Sequence, residues 1–420
     1  MEKLSKRFSS INQVILKNVD DKTLINFKES SRYINKIMEK EKFYWTRILN
    51  KRSARFEEFQ ESWEKVVSKT PVDTIKEFAL VVNKFFQGTP TRIENQWHPL
   101  FIAAEQGSLD LCKHIRSKTA CGNPKRSKDG LSALYIAAEK GHLEVYQFLA
   151  ANVRDKNPRK NDGWTSLHHA ASNGHAKVCS FIMADLVDKN PGDSDGWTPL
   201  HSAACDGHLE VCSLIMAVLE DKNPGDNFGS TPFHYAASDG QAKVCSLIME
   251  SLVDKNPGDN NGLTPLHNAA GEGHLDICIL IMGNLVDKNP VNNDGLTPLH
   301  YSASYGHAKV CSLIVAVLVD KNPEDNNGRT PLHHAASHGH DKVCSLIMEV
   351  LVDKNPGNND GCTPLHLAAF RGHLETCKLI WHNAEIKNPI DNLGQTPITA
   401  AIENGHMEVV SFLEEANSLN

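Results

Sequence analysis

Residues 196–227 read GWTPLHSAACDGHLEVCSLIMAVLEDKNPGDN, and this stretch decides the fold. Thr198 is a helix-capping residue. Pro199 suits the first helical position, where no amide donor is needed. Ala203 and Ala204 are small, so a neighbouring helix can approach closely. Gly207 is placed to end that helix with positive φ. Leu209, Val211, Cys212, Leu214 and Ile215 then form an apolar stripe at helical spacing. Asn223-Pro224 is expected to stop the second helix, because a residue before proline disfavours helical backbone. The Asp/Asn/Gly cluster that follows is turn chemistry. The unit therefore predicts turn, helix, turn, helix, loop.

The unit recurs. Asn-Pro occurs with its proline at 124, 158, 191, 224, 257, 290, 323, 356 and 389, spaced by 34 once and by 33 thereafter. A degenerate first copy begins near Trp97 and the last at Gly394, which gives ten copies. Two short helices cannot bury an apolar face alone, so the copies must stack into an elongated solenoid.

Composition narrows the function. Residues 1–95 hold 19 Lys+Arg against 13 Asp+Glu, and the remainder holds 25 against 38. All 21 histidines follow residue 95. The two parts are thus different kinds of sequence. The acidic remainder argues against nucleic-acid binding, which relies on Lys/Arg contacts to phosphate. The longest apolar run, Val310 to Val319, is interrupted by Ser312, far short of the roughly 20 residues of a membrane span. No membrane partner is expected. The start, MEKLSKRFSS, has no apolar core of signal-peptide length, so an intracellular chain with thiol cysteines is expected, cytoplasmic or nuclear, or within a host cell if the source is viral or bacterial.

The TPLH-x-A-A-x-x-G-H pattern at 33-residue spacing resembles the ankyrin repeat over residues 97 to 416. His98-Pro99-Leu100-Phe101 and Ser132-Ala133-Leu134-Tyr135 replace TPLH in the first two copies, and Thr399 takes the histidine position in the last. The resemblance implies an all-α ankyrin solenoid of about ten repeats joined by β-hairpin-like turns. It places the array at 96–416, with a tail at 417–420.

Eight of the 11 cysteines (Cys112, Cys179, Cys212, Cys245, Cys278, Cys311, Cys344, Cys377) occupy one repeat position, where other copies carry Tyr146 or Val410. That interchange marks an interior helix site where Cys acts as a small hydrophobe. Cys121, Cys205 and Cys362 fall off-register. The histidines follow the repeat too, in a TPLH series from His168 to His366 and a Gly-His series from His142 to His406. His333, His334, His338 and His340 cluster, mostly at scaffold positions, so no metal is expected. H-E-x-x-H, a P-loop, G-x-S-x-G and a dinucleotide fingerprint are absent. Gly271-Glu272-Gly273 lacks the third glycine. No cofactor and no enzyme activity are expected.

Scaffold positions are nearly fixed, so the informative residues are those that differ between copies. By resemblance, ankyrin arrays bind through hairpin tips and the exposed side of the first helices. On that side the candidate client-binding residues are Trp164, His169, Trp197, Tyr235, Leu263, Tyr301, Tyr305, Arg329, His334, His338, Phe370 and Arg371. Trp, Tyr and Arg are enriched at binding hot spots. The competing reading is that these side chains pack only along their own stack. Asn190, Asn223, Asn256, Asn289, Asn322 and Asn355 match the hairpin asparagine that hydroxylases of the factor-inhibiting-HIF type modify, although structural use of this residue is the simpler reading.

The first 95 residues lack the repeat. Thr70-Pro71 looks like a capped helix start, and Phe56, Phe59, Trp63 and Val66 form an earlier apolar stripe, so residues 53–95 are expected to cap the open end of the array. From Ile11 to Leu49 the pattern resembles the F-box, a helical motif that docks onto the Skp adaptor of cullin ubiquitin ligases. Ile15-Leu16 with Val19 stands for its first helix, Asp20 to Leu24 for the turn and helix start, Ser31-Arg32 for the Cys/Ser-basic pair, and Trp45 with Ile48 for its end. Arg7-Phe8 replaces the leading Leu-Pro, and Ile34 a frequent tryptophan. The resemblance implies a small helical domain at 1–52. Its Skp-adaptor contacts would be Ile15, Leu16, Val19, Leu24, Phe27, Ile37, Trp45 and Ile48. Together the two resemblances imply an adaptor that links a Skp-family adaptor and cullin ligase to an unidentified client protein. The alternative is an ankyrin scaffold that binds or sequesters a protein without ligase recruitment.

Overall fold

A computed structural model describes residues 99–118, 130–151 and 153–418. The F-box-like segment and the cap at 53–95 lie outside the described residues. The chain divides into two compact units, Met1–Val187 and Asp188–Asn420. Among the described residues every regular element is a helix, beside one isolated bridge between Arg159 and Thr165. The hairpin arms are too short for a ladder. In one such turn the Asp226 amide meets the Ser230 carbonyl at 2.9 Å and the Gly229 amide returns to the Asp226 carbonyl at 3.0 Å.

The first unit holds three described helix pairs, from Pro99–Glu105 with Leu109–Lys118 to Ser166–Ser172 with Ala176–Asp185. The second holds seven, from Pro199–Cys205 with Leu209–Val218 to Pro397–Glu403 with Met407–Ser418. Within each unit first helices pack on first helices and second on second. None of the described helices is long and apolar enough to cross a membrane.

The expected local signals operate as physics requires. Thr198 caps Pro199–Cys205 from an extended conformation, with Pro199 at the first helical position. Gly207 follows with φ 75°. Leu200, Ala203, Ala204, Val211, Cys212 and Ile215 are wholly buried. A buried Leu or Ile contributes roughly 1.5–3 kcal/mol, and here most of that burial is against neighbouring copies, so stability resides in the interfaces.

Two expectations need correction. Leu209 is exposed and Leu214 only half-buried; the buried stripe is Val211, Cys212, Ile215 and Met216. The second helix also ends at Val218, with Leu219 extended as its C-cap, well before Asn223-Pro224. The stop is set by the lysine of Asp-Lys-Asn-Pro. Lys255 Nζ donates to the Met249 carbonyl at 2.7 Å, and Lys321 to Val315 and Lys354 to Met348 at 2.6 Å each. An ammonium at a helix C-terminus satisfies orphan carbonyls and opposes the negative end of the dipole. The loop valines between cap and lysine, Val253, Val286, Val319 and Val352, are left essentially fully exposed.

Both histidine series stitch copies together. In the TPLH series Nδ1 accepts from the capping threonine amide, as His201 does from Thr198 at 3.1 Å. Nε2 therefore carries the proton and donates forward to the next copy, from His201 to the Ser230 carbonyl at 3.0 Å and from His234 to Leu263 at 2.9 Å. The Gly-His series points backward. His274 Nε2 meets the Ser238 carbonyl at 2.9 Å and His307 that of Gly271 at 2.8 Å.

Candidate client-binding surface

Each hairpin of the second unit is built around one acceptor side chain. Asp226 Oδ1 accepts the amides of Phe228 and Ser230, and Asp259 those of Asn261 and Leu263. Asp325 and Asp391 repeat the arrangement. Such Asx turns fix the tip without regular sheet pairing.

The second oxygen of the hairpin acid then holds a first-helix side chain. Tyr235 donates its hydroxyl to Asp226 Oδ2 at 2.8 Å, and His334 Nε2 lies 3.4 Å from Asp325 Oδ2. The corresponding pair Asn292 and Tyr301 meets at 3.4 Å. These partners are nine residues apart, a spacing that no local signal in the sequence joins.

A ladder that no single copy reveals runs along the tips. Asn260 Nδ2 donates to the Asn227 carbonyl at 3.2 Å, Asn293 to Asn260 at 3.1 Å, Asn326 to Asn293 at 3.0 Å, Asn359 to Asn326 at 3.2 Å and Asn392 to Asn359 at 3.1 Å. The backbone amides of the same asparagines reach the preceding copy as well, Asn326 to Asp294 at 3.0 Å. The 33-residue recurrence of this asparagine was the available signal. The Asn-Pro asparagines act inside their own copy: Asn190, Asn223, Asn256 and Asn355 each accept, at 2.9–3.0 Å, the amide of the residue ten positions on.

The candidate residues divide by exposure. Trp164, His169, Trp197, Tyr235, Leu263, Tyr301 and His334 are half-buried, whereas Tyr305, Arg329, His338, Phe370 and Arg371 are exposed. Both tryptophans face inward along the stack. Trp164 stacks on His168 at 5.5 Å and meets His169 edge-on at 5.2 Å. Trp197 donates Nε1 to Ser202 Oγ at 2.7 Å and lies 4.4 Å from the Tyr235 ring. Five of the candidates converge. Arg329, His334, His338, Phe370 and Arg371 line one groove of about 720 Å³, shared with Leu367, Asp360, Cys362, Asp391, Leu393 and Gln395.

The family model described as "Ankyrin repeats (3 copies)" matches residues 73–160, 150–225, 213–290, 279–358 and 345–419. The chain belongs to the ankyrin-repeat family. No curated protein compared with the chain matches it. As an ankyrin-repeat protein it is a scaffold for protein–protein interaction, and its partners are proteins.

The register cysteines and scaffold histidines described in this ankyrin chain are committed to packing and to bonds within the stack. The eight register cysteines are wholly buried. Burial pushes Cys212, Cys245 and Cys278 up to about 12, which suppresses the thiolate that nucleophilic or redox chemistry needs. Cys205 donates to Asp239 Oδ2 at 3.0 Å, and burial with that carboxylate also raises it to about 12. Cys121 lies outside the described residues. The copy-eight imidazoles are each engaged: His333 with Thr330 and the Cys362 carbonyl, His338 with the His334 carbonyl, His340 with the Ser304 carbonyl. Among the described residues no group of three His, Cys, Asp or Glu could hold a metal ion.

Proposed function

We propose that this ankyrin-repeat chain is a non-catalytic intracellular adaptor. The array holds a client protein on its hairpin and first-helix side, and residues 11–49 recruit the Skp adaptor of a cullin ubiquitin ligase. Support for the client site is the convergence of Arg329, His334, His338, Phe370 and Arg371 on one groove. Support for recruitment is the F-box-like run of Ile15-Leu16, Val19, Leu24, Trp45 and Ile48 in the segment that precedes the cap and the array.

An F-box docks by burying apolar helix surface, so a charge placed there is costly to desolvate. Affinity purification of the full chain with mass spectrometry is expected to recover the Skp adaptor and a cullin, and Leu24→Asp to remove both while the client remains. A melting curve of the variant separates lost docking from lost folding. Failure of the intact chain to bind purified Skp adaptor would sink the ligase reading and leave a scaffold without ligase recruitment.

A further inference from the structure

The second unit, residues 188–420, contains two arginines, Arg329 and Arg371. Both line the same groove. The other cations of this unit are lysines, and Lys222, Lys255, Lys288, Lys321 and Lys354 of the Asp-Lys-Asn-Pro motifs are spent on helix C-termini. Arg329 follows a hairpin glycine and Arg371 ends the helix Pro364–Arg371. Both are exposed. Neither guanidinium makes an ion pair among the described residues. An arginine fork matches a carboxylate bidentately in a way that lysine does not.

The carboxylates around them are largely taken. Asp391 accepts the Leu393 and Gln395 amides on Oδ1 and the Cys362 thiol on Oδ2. Asp325 faces His334. Asp360 is the one groove carboxylate whose side-chain oxygens accept no hydrogen bond among the described residues; the two guanidinium forks balance Asp360 and Asp391, so the groove is locally neutral where the array is acidic, and both forks are open to a ligand. Residues 96–420 hold 25 basic against 38 acidic side chains. An acidic ligand is therefore repelled along the array as a whole, and it meets unpaired guanidinium donors in a locally neutral setting at this groove.

Shape and apolar surface complete the description. Arg329, Cys362 and Gln395 hold the same position in three successive copies. At roughly 8–10 Å between packed helices they span on the order of 20 Å, which about six extended residues would cover. Phe370 and Leu393 expose apolar surface there, and the Arg371 guanidinium lies 5.5 Å from the Phe370 ring centroid.

We infer that this groove binds an extended peptide segment carrying a carboxylate side chain beside an apolar one. Arg329 and Arg371 hold the carboxylate, and Phe370 with Leu393 receives the apolar neighbour. The inference rests on the reading of the array as the client-holding part and names the chemistry of what it holds.

The test is selection of random dodecapeptides displayed on phage against the full chain. The enriched peptides are expected to carry Asp or Glu next to an aliphatic or aromatic residue. A fluorescein-labelled synthetic copy of one is expected to lose roughly tenfold or more in affinity with Arg329→Ser or Arg371→Ser. Its affinity should be unchanged with Lys342→Ser on the second-helix side. Both arginines are exposed, so their variants keep the parent melting curve. No enrichment, enrichment of peptides without acids, or binding that ignores both arginine variants overturns the inference. Acidic peptides that bind independently of the arginines would refute the groove while leaving the array as a binder. Loss of the ligase reading in the Skp pull-down leaves this result untouched.

Discussion

His300 fixes the backbone of Arg329. Its Nε2 donates to the Arg329 carbonyl at 3.1 Å while its Nδ1 accepts the Thr297 amide at 3.1 Å. One buried imidazole thus caps its own helix and positions the residue whose guanidinium enters the groove of the following copies. The arrangement works only with a neutral ring, because a protonated Nδ1 cannot accept.

Acid should therefore weaken the array. Burial pushes His267, His300 and His333 down to about 4, against the ordinary 6.5; His334, Asp325 and His267 are the titratable neighbours facing His300. Folded-state values below the unfolded ones mean that the unfolded chain binds more protons between them. The stability is fully present above about pH 6.5 and is lost as pH falls toward 4, on the order of 2 kcal/mol per histidine by pH 5. Urea midpoints measured from pH 7 to 5 should fall, and His300→Gln should start lower and fall less steeply. A flat profile would contradict the neutral-ring account.

Cys278 is wholly buried. Cys278→Ala or Cys278→Val should cost about 1–2 kcal/mol at most, whereas Cys278→Asp buries a charge without a partner and should unfold its copy. Circular dichroism melts check this, and an unchanged melt for Cys278→Asp would show the register to be wrong. Chelators should leave the melting temperature as it is. In the folded chain a thiol reagent should reach the half-buried Cys362 before any register cysteine.

Glycine at the hairpin is needed for two separable reasons. Gly328 has φ +70°, and a Cβ there would stand 2.5 Å from Asn359 Oδ1 and 2.8 Å from its amide nitrogen. Gly394 has φ +80° with nothing within 4 Å of an added Cβ. Gly394→Ala should show only the cost of left-handed backbone, about 1–2 kcal/mol. Gly328→Ala should lose about 1–2 kcal/mol more, because Asn359 must leave its bonds to Asn326 and Asn327. Equal losses in urea titration would mean that the asparagine ladder contributes nothing.

The asparagine ladder also shows what a sequence hides. The helices, their caps and the buried Cys212 position were legible because each rests on a local signal or on periodicity. Asn260 looked like turn composition because its acceptor, the Asn227 carbonyl, belongs to another copy. The lysine that meets the end of second helices, as Lys255 meets Met249, was hidden by the neighbouring proline, which offered a sufficient local reason to stop. The groove needed side chains from three copies brought together, and no single copy carries that pattern. The tryptophans read as exposed anchors because the sequence could not show that Ser202 and Tyr235 would receive Trp197.

That difference between Trp197 and Phe370 supplies the last prediction. The Trp197 indole bonds Ser202, lies 5.3 Å from the His201 ring and crosses onto Tyr235 of the next copy. Trp197→Ala removes packing between copies and should cost about 2–3 kcal/mol of stability, with any loss of client binding following from the loosened stack. Phe370 is 44% exposed, so Phe370→Ala should change stability by no more than about 0.5 kcal/mol and still weaken a client that fills the groove. Melting curves beside client pull-downs separate the two roles. If Trp197→Ala melted like the parent while client binding was lost, Trp197 would be a contact residue rather than a piece of the stack. If Phe370→Ala bound the client as the parent does, the groove would not be where the client sits.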